Sequence, residues 1–303
     1  MKNPVFTIVP GTGMVIFMQY TGSRRILAVI LAFIILAAGC LSETARPGDR
    51  GGVVVAVSIL PQAEFVHAIA GDRAEVIVLI PPGANPATYE PTADQLTALS
   101  RAGIYCMVGS GLPFEQIYVP RLAAANPAMR IVNTSAGIDL IDHDPHVWTS
   151  PVNAVRMVRT TAEALAGADP EYAENFRTNA SDYEKELVSL DAELRSLTAH
   201  ITGRTFIVFH PSWGYFAREY GLVQVAIEEE GKEPGPGHIA EVIDLARREQ
   251  IHVILANPQF SRQPVDAIAR QVNASVVDVD PLSEDYAGTL LFLARTLAGE
   301  GAS

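Results

Sequence analysis

The chain has 303 residues, 49% of them hydrophobic and 18% charged, enough for two globular lobes with cores of their own. Its 22 Lys and Arg against 34 Asp and Glu leave a net charge of −12. That balance argues against nucleic acid, whose phosphates call for clustered basic residues. The apolar content argues against a disordered chain, and the two cysteines cannot make a disulfide framework.

At the N-terminus, Arg24 and Arg25 precede an apolar run from Ile26 to Ala38 that ends at Leu36-Ala37-Ala38-Gly39-Cys40. A basic start, a short apolar stretch and small residues at its end describe an export signal. The run is too short for a membrane span of about 20 residues. Leu-Ala-Ala-Gly-Cys resembles the lipobox of prokaryotic lipoproteins, which implies a lipidated Cys40. An ordinary signal peptide with a chance cysteine is the competing reading. Residues 1–40 are thus expected to be a signal peptide ending in the lipobox, and residues 41–52, rich in small and polar side chains, a tether to the membrane. Loss of Lys2, Arg24 and Arg25 with the leader makes the charge of the remainder −15.

Beyond Gly52, β-branched runs recur at Val53–Ile59, Val76–Ile80, Ile104–Val108 and Ile131–Val132. After a gap they return at Phe206–Phe209, Val223–Ile227, Val253–Leu255 and Ser275–Val279. Near-continuous apolar runs suit strands covered on both faces. Amphipathic segments lie between them at Gln62–Ile69, Thr92–Ser100, Ile239–Arg248 and Pro264–Gln271. This strand–helix alternation predicts doubly wound parallel sheets, and it happens twice. In the middle, Tyr172, Phe176, Ala180, Tyr183, Leu187, Leu190, Leu194, Leu197 and Ile201 are spaced by threes and fours. They predict one continuous helix from Pro170 to Ile201, roughly 45 Å long, opened by Pro170 and stopped by Gly203. A coiled-coil dimer is the competing reading of that stripe. The expected architecture is therefore α/β: an N-terminal lobe over 53–169, a rigid spine helix over 170–203 and a C-terminal lobe over 204–303.

Open parallel sheets hold ligands beyond the carboxyl ends of their strands. In the second lobe those ends carry His210, Glu228, Asn257 and Asp280, each directly after its apolar run. The first lobe offers Asp144-Pro145-His146-Val147-Trp148, where Asp144 is placed to orient the imidazole. Imidazole with carboxylate is chemistry for zinc, manganese or iron. His67, His200, His238 and His252 fall on or beside helices and strands and are read as structural. No G-x-S-x-G elbow accompanies Ser212, and Gly235-Pro-Gly237 is a turn. Cys106, inside an apolar run, is read as core, while Trp148 and Trp213 could either wall the site or belong to the core.

Asp-Pro-His146-Val-Trp-x-Ser-Pro, Phe-His210-Pro-Ser-Trp-Gly-Tyr-Phe, Gly-Lys-Glu-Pro at 231–234, Pro-Gln-Phe-Ser at 258–261 and Asp280-Pro-Leu follow one another in order. Together they resemble the zinc/manganese solute-binding lipoproteins of ABC transporters. The resemblance implies a metal site in the cleft between two α/β lobes, with His146, His210 and Asp280 as ligands. It implies Zn²⁺, or Mn²⁺, as transported substrate rather than a catalytic cofactor, and a monomer anchored outside the cytoplasm. An ABC-transporter permease and its ATPase would be the partners, with no nucleic acid and no enzymatic activity. The family pattern has a further histidine ligand where this chain has Ala87, and alanine cannot coordinate. Glu90, Glu228, Asn257 and His143 are the candidates to complete or support the site. Two other readings follow from the gap: a degenerate, metal-free surface receptor of adhesin-like kind, or a surface-anchored zinc hydrolase using the open position with Glu228 or Glu90 as base.

Overall fold

A computed structural model describes residues 52–229, 232 and 234–300. The leader with Cys40, the tether up to Gly51, Glu230, and Gly231 and Glu233 of the 231–234 motif lie outside the described residues. The described residues belong to one compact unit.

The first half builds β1 (Val53–Val57), α1 (Leu60–Ala70), β2 (Ala74–Val78), α2 (Ala93–Leu99), β3 (Ile104–Met107), α3 (Pro113–Ala125) and β4 (Arg130–Asn133). Its sheet is parallel, in the order β2-β1-β3-β4. Central β1 explains the unbroken Val-Val-Val-Ala-Val run. Val55 pairs with both Val76 and Ile104, and Val55, Ala56 and Val57 are fully buried. A strand flanked on both sides and covered on both faces has no polar face to show.

The second half repeats the plan with β5 (Thr205–Val208), α6 (Gly214–Tyr220), β6 (Val223–Ala226), α7 (Pro236–Arg248), β7 (Val253–Ala256), α8 (Gln263–Val272), β8 (Ser275–Asp278) and α9 (Tyr286–Ala298). Its parallel order is β6-β5-β7-β8, the same winding as in the first sheet. Each sheet therefore reverses direction beside its first strand, the place where doubly wound sheets open a crevice.

Between the sheets run α4 (Pro151–Ala168), capped by the Ser150 hydroxyl, and α5 (Ala173–Thr198). Helix α5 is extended by 3₁₀ turns at Pro170–Tyr172 and Ala199–Ile201. The expected limits of the spine are met, but its two ends are 3₁₀ rather than α, a common way to close off a helix. Phe176, Ala180, Leu187, Leu190, Leu194 and Thr198 form its buried face. That face packs along α4 and against both α1 and α9, tying the first half to the last helix. The stripe is thus core-facing, and no partner helix is needed to explain it.

One continuous apolar cluster runs from Val55 and Phe65 through Phe176 and Leu194 to Trp213, Phe216 and Leu293. A second, smaller one lies under α7 and α8 on the far face of the second sheet. Each fully buried large aliphatic or aromatic side chain in such a cluster contributes about 1.5–3 kcal/mol. Bending the halves far apart would open the shared cluster, so the geometry favours a stiff body. Helices α3 and α9 went unread in the sequence for physical reasons. Helix α9, packed on the spine, carries apolar residues such as Phe292 on its outer face as well, which blurs its stripe, and α3 carries Pro120 in its interior and shows no clear stripe. No described helix is long and apolar enough to cross a membrane.

Candidate metal centre

The strand ends place their polar residues as the topology requires. His210 stands two residues past β5 and receives support from three directions. Its backbone N–H donates to Asn257 Oδ1 at 3.2 Å, its Nδ1 lies 2.6 Å from Glu228 Oε1, and its ring stacks on Phe260 with centroids 4.7 Å apart. Asn257 is itself fixed, donating from Nδ2 to Ser212 Oγ at 3.1 Å. Buried among these partners, Asn257 braces His210 and leaves the cleft to others.

His146 arrives from the other side, on the loop between β4 and α4. Pro145 and the Val147–Thr149 3₁₀ turn hold it, and Asp144 Oδ1 accepts from its backbone N–H at 2.9 Å while lying 2.8 Å from its Nδ1. Tyr215 of α6 pins the same loop across the cleft. Its hydroxyl accepts from Ile141 N at 2.8 Å and donates to Asp144 O at 3.2 Å. Gly214 is needed there, because a Cβ at that position would overlap Asp144 Oδ2. Burial pushes the His146 pKa below the usual imidazole value, against the opposing pull of Asp144. The ring is therefore neutral at pH 7.

The two imidazoles converge, Nε2 to Nε2, at 3.3 Å. A carboxylate faces each Nδ1, which keeps the ring proton there and turns both Nε2 lone pairs toward one point. Two bare lone pairs at that distance repel unless something electrophilic lies between them. Two nitrogens about 2.0–2.1 Å from a tetrahedral ion would themselves be roughly 3.3 Å apart. The observed 3.3 Å matches that spacing.

The remaining expected residues are placed less directly. Asp280 follows β8, but its Oδ1 accepts from Gln259 Nε2 at 2.6 Å and from Leu282 N at 2.8 Å. Its neighbours Pro281 and Leu282 line the cleft, whereas Asp280 does not. Among the described residues no three His, Cys, Asp or Glu side chains form a metal-holding cluster. Ala87 does line the cleft, with its N–H on Asn85 Oδ1. Glu228 also lines it, occupied with His210, and His143 stands on the rim, exposed, at a positive φ of 61° and paired with Asp142. Glu90 is exposed and outside the lining. Trp148 and Trp213 are core rather than wall, each 1% exposed, and Trp148 Nε1 donates to Pro281 O at 2.8 Å. The sequence reading missed Tyr215, Gly214, Phe260 and Gln259 as supports, although all four sit inside the quoted motifs.

The family model described as zinc-uptake complex component A, periplasmic, matches residues 55–299. The high-affinity zinc uptake system protein ZnuA of Bacillus subtilis is 29% identical over 82% of this chain and 85% of its own length. The manganese-binding lipoprotein MntA of Halalkalibacterium halodurans is 28% identical over 90% and 91%. A crystal structure of ZnuA superimposes with a TM-score of 0.80 at 38% identity, covering 83% of this chain and 100% of that one.

Proposed function

The chain belongs to the family of periplasmic zinc-uptake complex component A proteins, and from that premise we propose that it captures a divalent transition metal, zinc first and manganese second, for an ABC-transporter permease and its ATPase. It is a solute-binding component and not an enzyme. The observation that carries the reading is the 3.3 Å approach of His146 Nε2 and His210 Nε2, each ring held through Nδ1 by its own carboxylate. His146 and His210 are assigned as ligands, and Asp280 as the third, joining once Gln259 releases it. Zinc- and manganese-named relatives both support a borderline cation as cargo. In this reading the lobes are residues 53–169 and 204–303, joined by the 170–203 spine. A diacylglycerol on Cys40 would keep the monomeric protein at the membrane, as the lipoprotein name of the manganese-binding relative suggests.

Ligand imidazoles must be neutral to bind, so capture weakens as pH falls. Calorimetric titration of the metal-stripped chain with Zn²⁺ and then Mn²⁺, beside His210→Ala, tests the assignment. Tight one-to-one binding that the substitution abolishes supports it, and unchanged affinity in the variant overturns it.

A further inference from the structure

Taking the metal-capture reading as its basis, we infer that the cargo enters as a chelate: a divalent ion already carrying one small amino-acid-type ligand that binds through nitrogen and oxygen. Two imidazoles fill two positions of an ion that takes four or more. Asp280 is turned away onto Gln259 and Leu282, and Ala87 presents a methyl group to the cleft. At least one further position must be filled from outside, even after Asp280 joins.

The cleft has the volume for such a ligand. It measures about 870 Å³, whereas four waters on a metal occupy on the order of 120 Å³ at about 30 Å³ each. Cavities of this size suit organic molecules. The walls agree, since Ala87, Pro113, Ile141 and Phe260 offer apolar surface that a hydrated ion cannot use. The charge agrees as well. Asp142, Asp144 and Glu228 line the cleft, and among the described residues no Lys or Arg does. That field rejects an anionic complex such as metal citrate and accepts a cation. A divalent ion with one amino-acid anion keeps a charge of +1. Its amine and carboxylate occupy the open positions, and its side chain lies on the apolar wall.

The test is native mass spectrometry and calorimetry of the metal-stripped full chain with Zn²⁺ alone, with excess glycine, with excess L-leucine and with citrate. The chelate reading expects a protein–zinc–leucine species, and zinc affinity raised about tenfold by leucine and less by glycine. Ala87→His should lose that gain while binding zinc alone more tightly. If zinc binds alone and both amino acids lower its apparent affinity by competition, the chelate reading is overturned and metal capture stands. If zinc binds under none of these conditions, both readings fall.

Discussion

Glu228 Oε1 lies 2.6 Å from Nδ1 of His210, and that one contact decides which nitrogen of the ring faces the cleft. Asp144 does the same for His146 from the opposite side. Metal-binding histidines need such partners, and losing one typically costs about 10–100-fold in affinity. Glu228→Gln should lower zinc affinity by that factor, because a side-chain amide can either donate or accept and no longer fixes one tautomer. Titration calorimetry checks it, and the thermal midpoint should barely move.

Gly214→Ala should reproduce much of that loss without touching a ligand. The new methyl group overlaps Asp144 Oδ2, and Asp144 cannot retreat without releasing both the N–H and the Nδ1 of His146. We expect zinc affinity to fall about tenfold or more, with the fold retained by circular dichroism. Wild-type affinity in the variant would mean that the loop has slack.

The buried, neutral His146 makes the metal-free protein acid-sensitive. Its pKa is depressed in the folded state, so the unfolded chain binds the proton first, near the ordinary value of about 6.5. The corresponding stability is present above that value and is lost as pH falls through the folded pKa. His146→Gln should flatten the decline in thermal midpoint just below pH 6.5, measured without metal.

Cys106 supplies a probe of folding. Complete burial in β3 pushes its thiol pKa up to about 12. Only the thiolate reacts, so at pH 8 iodoacetamide should label the folded chain from Ser42 onward orders of magnitude more slowly than the chain in denaturant. Rapid labelling under native conditions would show that the first sheet opens easily.

Glu64 of α1 joins three helices. It accepts from Tyr183 Oη of α5 at 2.6 Å and from Tyr286 N of α9 at 2.8 Å. Glu64→Ala leaves both donors without it, at a cost of about 1–3 kcal/mol. A body of this size should melt roughly 2–12 °C lower, at about 2–4 °C per kcal/mol. Calorimetric melting measures it, and metal affinity should change little because the contact is remote from the cleft.

Much of this protein was legible along the chain. Burial on both faces imposes continuous apolar runs, so Val53–Val57 and Val253–Ala256 could be read as strands covered on both faces. The three-four spacing from Phe176 to Leu194 marked the spine, since a helix that faces a core on one side must repeat that way. His146 and His210 stood out because each is a polar group at a break in an apolar pattern. Helix α9 did not, because apolar residues on its outer face, Phe292 among them, blur the stripe. What the tertiary structure decided is which groups meet. The convergence of His146 with His210 spans 64 positions, the turn of Asp280 toward Gln259 spans 21, and the fit of Gly214 against Asp144 spans 70. Hydrogen bonds and steric contacts act over a few ångströms of space and take no account of distance along the chain. Residue types could therefore name the candidates, but only the folded backbone could bring two of them together and leave Ala87 facing an open cleft.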